Sequence, residues 1–222
     1  MNALTLVIGN KNYSSWSLRP WIWLQQAGIA FEERRVALFT ETMEAELAPY
    51  DSNAKVPVLV DGELVIWDSL AILEYLAERF PEAPGWPRDR AARALARSLA
   101  AEMHSSFLAL REALPMNCRK RFPGYPITPA VQADIDRITA LWARARTAHG
   151  AAGPWLCGDF SIADAMYAPI AFRFWGYDVA LPDVAQTYVA RFLAQPAMQA
   201  WRAAGEAETE IIAADEAYTR HE

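Results

Sequence analysis

In the first 80 residues, segments with the apolar spacing of a strand alternate with segments with the apolar spacing of a helix. Short apolar runs, such as residues 4–8 directly before Gly9, are typical of buried strands. Apolar residues three or four positions apart are typical of helices, and Gly28 lies where the first helix should end. Asp61-Gly62 is a hairpin signal. The pattern predicts, in chain order, a strand at 4–8, a helix at 15–27, a strand at 31–38, a helix at 41–48, strands at 55–60 and 63–66, and a helix at 68–80.

Beyond residue 80 the strand signals vanish and only helical spacing remains. The change falls at residues 81–87, where three prolines and a glycine indicate a linker. Ser161 and Asp164 have the spacing of a helix-capping pair. Helices are predicted at 88–114, 128–149, 161–175, 182–194 and 196–204. We therefore predict an α/β domain at 1–80, with the order βαβαββα and a mixed four-stranded sheet, a linker at 81–87, and an all-helical domain at 88–222.

The composition narrows the class of protein. Hydrophobic residues make up 53% and charged residues 22% of the chain, which is typical of a globular protein. The net charge is -6, without a basic stripe for nucleic acid or anionic membranes, and no apolar stretch approaches membrane-spanning length. Cys118 and Cys157 are too few for a disulfide framework, and the histidines offer no metal site beside them. We expect a cytoplasmic protein without nucleic-acid, membrane or metal partners.

The first candidate for chemistry is the serine-rich stretch at residues 12–19, between the first strand and the first helix. A helix N-terminus carries unpaired N–H groups and a positive partial charge, so a hydroxyl of Ser14 or Ser15 there can stabilise a bound thiolate. The alternative is that these serines only cap the helix. Pro20 would block an internal hydrogen bond of a regular helix capped at Ser14, so either the first turn is irregular or the cap lies nearer Ser17.

Two further candidates lie at the start of a strand and at the start of a helix. Val56-Pro57 opens the third strand, where a cis proline would leave the backbone of Val56 free to pair with an extended peptide. The alternative is an ordinary trans proline on an edge strand. Asp68-Ser69 enters a helix whose N-terminus can hold a carboxylate, while Asp68 caps the helix, faces a ligand amine, or does both.

The three features, in this order and with these elements between them, together resemble the glutathione transferase superfamily. The Ser-Ser-Trp-Ser stretch is similar to the Ser-Ser-Cys-Ser motif of the zeta class, and the whole resembles serine-type bacterial members. The likeness covers nearly the whole chain and is carried by Ser14-Ser15-Trp16-Ser17-Leu18-Arg19 and by residues 52–59, 68–76 and 158–164. It implies a thioredoxin-like N-terminal domain followed by an all-α C-terminal domain.

The resemblance also implies roles for individual residues. Ser14 matches the serine whose hydroxyl stabilises the glutathione thiolate, with Ser15 beside it as helper or rival. Trp16 replaces the zeta-class cysteine, which argues against isomerisation of the maleylacetoacetate type, and Ala54 replaces the usual glycine before the lysine. The residues implied to bind the rest of glutathione are Lys55, which lies near its carboxylates, Val56 and Pro57, which face its cysteinyl unit, and Asp68 and Ser69, which grip its γ-glutamyl end.

The expected function is attack of a glutathione thiolate on a hydrophobic electrophile held between the domains. The residues expected to line that pocket are Tyr13, Trp16, His104, Phe107 and Arg111, although core or surface positions are the alternative for the last three. Arg173, between buried aromatic residues, is a candidate for recognising an acidic substrate. Glutathione is the only cofactor implied, as a co-substrate, and homodimers are usual in the family. The alternatives are a glutathione-dependent isomerase or peroxide reductase, or a non-enzymatic interaction module.

Overall fold

The computed structural model describes residues 4–217 and contains one four-stranded sheet. Its strands are β1 (Leu4–Ile8), β2 (Phe31–Arg35), β3 (Val58–Asp61) and β4 (Leu64–Trp67). They lie side by side in the order β2-β1-β3-β4, with β2 parallel to β1 and β3 antiparallel to both its neighbours. The predicted mixed sheet and the order βαβαββα are confirmed. Residues 218–222 of the predicted helical domain lie outside the described residues.

Three helices follow the strands of the sheet: α1 (Ser15–Gln26), α2 (Met43–Leu47) and α3 (Ser69–Arg79). Most predicted boundaries in this part are correct to within three residues. The strand predicted at 31–38 ends at Arg35, and its side chains beyond Phe31 are exposed because β2 is an edge strand. Helix α2 ends at Leu47, before Pro49, and a separate 3₁₀ turn follows over Ala48–Tyr50, where the missing N–H of Pro49 is not needed because proline is at the start of the turn.

The rest of the described chain is helical, as predicted. Its helices are α4 (Arg90–Ser105), α5 (Leu108–Ala113), α6 (Pro129–His149), α7 (Ile162–Gly176), α8 (Asp183–Ala194) and α9 (Pro196–Ala207). Helix α7 is apolar on all sides and buried along almost its whole length, which makes it the central element of this part. It packs against both α1 and α4, so the two parts of the chain share one core.

The prediction of a single helix over 88–114 is wrong, because the helix is interrupted between α4 and α5. Phe107 has a φ of +63°, a left-handed conformation that no α-helix interior contains. Two side chains hold the break by bonding the backbone groups that it frees. Arg111 donates to the carbonyls of His104 and Ser106, and Asp134 of α6 accepts from the Leu110 N–H at 2.9 Å. These partners depend on tertiary packing, which helical spacing does not report.

Candidate functional site

The N-terminus of α1 is capped by Ser14. Its Oγ accepts from the Ser17 N–H at 3.4 Å and shares a 2.7 Å hydrogen bond with Ser17 Oγ, which in turn accepts from the Gly9 N–H at 3.1 Å. The alternative of a cap nearer Ser17 is therefore wrong, and Pro20 lies inside the helix. A proline there removes one internal hydrogen bond, which α1 tolerates within a buried core.

Ser15 is the first residue of α1 and faces the helical part of the chain. Its Oγ accepts a hydrogen bond of 3.3 Å from Nη2 of Arg173, a residue of α7 that lies 158 positions further along. Arg173 also donates to the backbone carbonyls of Arg111 and Leu114, at the end of α5. One guanidinium thus connects the first turn of α1 with two helices of the second part.

The sheet places the other two candidates, Val56-Pro57 and Asp68-Ser69, beside the first turn of α1. Val58 pairs with Val7 on one side and with Trp67 on the other, so Val56-Pro57 lies next to the end of β1 and the start of α3. The Val56–Pro57 peptide is cis, as the resemblance implies. Val56 is half-buried, whereas Lys55 is exposed and its N–H donates to the Asn53 side chain at 3.2 Å.

Asp68 caps α3 and at the same time contacts α4. Its Oδ1 accepts from the N–H groups of Leu70 and Ala71 at 2.9 and 3.2 Å, and its Oδ2 lies 2.7 Å from Nε2 of His104. The φ of Asp68 is +74°, which is uncommon outside glycine and concentrates at functional sites. Ser69 is buried beside it, and its Oγ accepts from Nη1 of Arg19 at 3.3 Å.

Trp16 contacts three side chains of α1, α4 and α5. The guanidinium groups of Arg19 and Arg111 lie 4.1 and 4.4 Å from its ring centroid, distances typical of cation–π contacts. Its ring also meets that of His104 edge to face at 5.4 Å. The structure thus brings Trp16, His104 and Arg111 together near Asp68, and contact of these side chains with a substrate stays a prediction.

Two other predicted pocket residues lie elsewhere. Phe107 is only 5% exposed and packs in the core. The Tyr13 hydroxyl donates to Glu216 at 2.7 Å and accepts from Arg119 at 2.9 Å, so its polar end faces the C-terminal segment. Contact of these two side chains with a substrate stays a prediction.

The site carries a concentration of buried positive charge that sequence reasoning missed in part. Burial lowers the pKa of Arg19 to about 9 and that of Arg173 to about 10, and in both cases repulsion from Arg111 adds to the effect. Within residues 4–217, neither guanidinium forms an ion pair with a carboxylate, and Nε of Arg19 has no hydrogen-bond partner. The sequence signal for this charge was Arg173, the one arginine in the mostly apolar segment that forms α7, because a buried charge requires partners.

Two other possible kinds of site are not found in the part of the chain that the structure describes. Its acidic, histidine and cysteine side chains form no group suited to a metal ion. No helix between residues 4 and 217 is long and apolar enough to cross a membrane. A cavity of about 560 Å³ lies at the linker near Trp86 and His149, and none of the predicted site residues lines it.

Comparisons with known proteins agree with this geometry. Residues 13–79 match the family model of the glutathione S-transferase N-terminal domain. The chain is 46% identical over 83 residues to glutathione S-transferase 1 of Dianthus caryophyllus, covering 37% of this chain and 38% of that protein. It is 33% identical over 129 residues to a probable maleylacetoacetate isomerase of Caenorhabditis elegans, covering 58% of this chain and 60% of that one. The matches thus span less than two thirds of either relative.

A solved structure extends the likeness to the whole fold. A glutathione transferase homolog from Burkholderia, solved with bound glutathione, superimposes with a TM-score of 0.70 at 27% identity. The match covers 93% of this chain and 100% of that one, and so includes the helices after the linker. Residues 13–79 thus match a glutathione S-transferase N-terminal domain, and the fold of the whole chain is similar to that of a glutathione transferase homolog.

Proposed function

We propose that the chain is a glutathione transferase that activates the thiol of glutathione for attack on an electrophile. One observation carries the proposal: the N-termini of α1 and α3 lie together, joined by the Arg19–Ser69 hydrogen bond, with Val56 beside them. Two helix N-termini offer places for two anionic groups of one ligand, here a thiolate and a carboxylate. The glutathione in the Burkholderia homolog supports the same ligand.

Each residue of the site has a distinct task in this mechanism. Ser69 and the N-terminus of α3 hold the γ-glutamyl carboxylate, and Asp68 pairs with the ammonium group. The backbone of Val56 pairs with the cysteinyl unit, and Lys55 lies near the glycyl carboxylate. Bound glutathione supplies a sulfur nucleophile. A serine hydroxyl at the start of α1 holds that sulfur as thiolate while its proton passes to solvent, which raises its reactivity near neutral pH.

The first test removes one glutathione contact without touching the sulfur. Ser69→Ala should weaken glutathione binding by about ten- to a hundredfold, because a buried hydrogen bond to a charged group contributes about 1.5–3 kcal/mol. Titration calorimetry measures the dissociation constant, and turnover of an aryl halide measures the reaction. Ser98→Ala is the control, because its hydroxyl donates to the Ala94 carbonyl of its own helix on the exposed side of α4. If the wild-type chain does not bind glutathione, the transferase proposal fails and a non-enzymatic interaction module becomes the better hypothesis.

A glutathione-dependent isomerase of an acidic substrate is the second candidate. The positive charge of Arg19, Arg111 and Arg173 favours it, and so does the similarity to a probable maleylacetoacetate isomerase. Trp16 in the position of the zeta-class cysteine speaks against it. Isomerisation of a cis-unsaturated diacid without turnover of aryl halides would favour this candidate over the first.

We propose that residues 81–87 divide a glutathione-binding domain at 1–80 from a helical domain at 88–222 that contributes the electrophile pocket. The protein acts as a homodimer, for which the exposed side chain of Phe39 is a candidate contact. It works in the cytoplasm, where its two free, buried cysteines stay reduced. Cell fractionation that recovers the protein from an oxidising compartment would contradict the proposed cytoplasmic location.

A further inference from the structure

Helix α1 follows a short loop, residues 10–13, which we call the serine loop because it leads directly into Ser14. Asn12 in this loop is fully buried, and its side-chain oxygen accepts from the N–H groups of Cys118 and Arg119, both at 2.9 Å. Loops beside ligand sites are usually mobile parts of a fold, because few buried contacts hold them. This loop is instead bonded to residues more than 100 positions away, and these contacts determine where α1 begins.

The C-terminal segment, residues 208–217, bonds the backbone of the serine loop. The two carboxylate oxygens of Glu208 accept from the consecutive N–H groups of Lys11 and Asn12, at 2.7 and 3.0 Å. Helix α9, directly before this segment, approaches the same loop, because a methyl group on Gly205 would lie only 3.1 Å from the Asn12 nitrogen. Glycine allows the helix to approach this closely, so the C-terminal segment begins in contact with the serine loop.

Glu216 of the C-terminal segment bonds the side chain of Tyr13, the last residue of the serine loop. Glu216 is buried, and its Oε1 accepts from the Tyr13 hydroxyl at 2.7 Å. The same carboxylate accepts from Asn117 Nδ2 at 3.2 Å and from Lys120 Nζ at 2.8 Å. Arg119 donates to the Tyr13 hydroxyl at 2.9 Å. A buried carboxylate that is bonded on several sides holds its partners in one geometry, so the hydroxyl of Tyr13 is fixed next to the start of α1.

We propose that the C-terminal segment positions the serine loop for the reaction, and that Glu216 is a positioning residue that acts through Tyr13. This assignment rests on the proposed transferase function, because it needs a reaction at the start of α1. The hydrogen bond between Tyr13 and Glu216 sets where the first N–H groups and hydroxyls of α1 lie relative to bound glutathione. Displacement of such groups by about 1 Å can lower a rate about a hundredfold, even when the altered residue lies away from the reacting atoms.

The experiment titrates bound glutathione with no electrophile present, so that a contact of Tyr13 with a substrate cannot affect the result. Calorimetry first gives the dissociation constant, and the ultraviolet absorbance of the thiolate then gives the thiol pKa. We expect Tyr13→Phe and Glu216→Ala to raise this pKa by about 1, because the groups at the start of α1 then hold the thiolate less closely. Turnover of an aryl halide should fall about tenfold. At a pH below the thiol pKa, the dissociation constant should change less than about twofold, because the proposed contacts of Val56, Asp68 and Ser69 with the rest of the ligand are retained.

The direction of the change separates positioning from a direct effect of charge. If the negative charge of Glu216 acted on the thiolate itself, its removal would lower the thiol pKa instead of raising it. Glu216→Gln removes the charge but keeps an oxygen that accepts from Tyr13, so it should restore the wild-type pKa. The double variant Tyr13→Phe/Glu216→Ala should raise the pKa no further than Glu216→Ala alone, because both changes remove the same hydrogen bond.

Tyr75→Phe is the matched control. The Tyr75 hydroxyl also donates to a carboxylate, that of Asp61 at 2.8 Å, but both residues lie outside the serine loop and the C-terminal segment. This variant should leave the thiol pKa and the turnover unchanged.

Each result has a definite meaning. A thiol pKa that Tyr13→Phe and Glu216→Ala both leave at the wild-type value would overturn the positioning role while leaving the transferase function intact. A lowered pKa in the Glu216 variants, or additive effects in the double variant, would also overturn it. Should Glu216→Ala fail to fold, the contrast between Tyr13→Phe and Tyr75→Phe still decides whether the contact matters. Failure of the wild type to bind glutathione would instead count against the proposed function itself.

Discussion

At the scale of single residues, Asp68 shows how one side chain can cap a helix and still present an oxygen to another group. Its Oδ1 caps α3 through two backbone N–H groups, and its Oδ2 contacts His104 at 2.7 Å. The alternatives that the sequence left open, capping or facing a ligand amine, are therefore compatible with each other. A ligand ammonium group at this position would contact Asp68 Oδ2, the oxygen that contacts His104 in this structure.

This division of labour predicts the effect of Asp68→Asn. The amide oxygen can still cap α3, so the free energy of unfolding should change by less than about 1 kcal/mol. Loss of the negative charge should weaken glutathione binding about tenfold, because the ligand ammonium loses an ionic partner. Calorimetry and urea unfolding measure the two quantities separately. Equal affinity for Asn and Asp at this position would show that the γ-glutamyl end binds elsewhere.

The residues that sequence alone identified are those whose task is local. A serine or aspartate before a helix and a proline at the start of a strand act on their immediate neighbours, so Ser14, Pro57 and Asp68 were found. Arg19 and Arg173 were given no firm role, because their partners lie 50 and 158 positions away and depend on how the helices pack.

At the scale of elements, the capping box of α7 is the clearest case of structure dictated by sequence. Asp164 is fully buried and accepts from the N–H groups of Ser161 and Leu156, from the Ser161 hydroxyl and from the Tyr188 hydroxyl. The predicted pair of Ser161 and Asp164 is confirmed. Because α7 is the central helix, its N-terminus also fixes the loop before it and helix α8 beside it.

Asp164→Ala should therefore destabilise the protein strongly, by about 3–5 kcal/mol, because it leaves buried donors without partners. The matched control is Asp89→Ala, which removes an exposed cap of α4 and should cost about 1 kcal/mol. Urea unfolding of both variants measures the difference. Similar losses for the two would mean that burial adds nothing to the cap and that α7 is not the central support inferred here.

The break between α4 and α5 shows where element-level prediction failed. Residues 88–114 keep their helical spacing through the break, so periodicity alone predicts one helix. What interrupts it is a left-handed Phe107, held by Arg111 from within α5 and by Asp134 from α6. The side chains on the two sides of the break, His104 and Arg111, both contact Trp16.

At the scale of the whole molecule, the surface of the N-terminal part carries apolar side chains that a monomer leaves exposed. Phe39, in the loop after β2, is 77% exposed and has a φ of +58°. Leu64 and Trp67 are exposed on β4, which is an edge strand. Exposed apolar groups on a sheet edge are often covered by a partner, which agrees with the proposed homodimer.

Sedimentation equilibrium should accordingly give twice the chain mass of 24.8 kDa for the wild type. Phe39→Ser should shift the equilibrium towards monomer, because an apolar side chain of this size contributes about 1.5–3 kcal/mol when it is buried in a contact. Val184→Ser on α8, also an exposed apolar position, is the control and should leave the mass unchanged. A wild-type monomer at every concentration would contradict the dimer. A dimer that both variants leave intact would show that its interface lies away from Phe39, so the exposed apolar groups of the N-terminal part would need another partner.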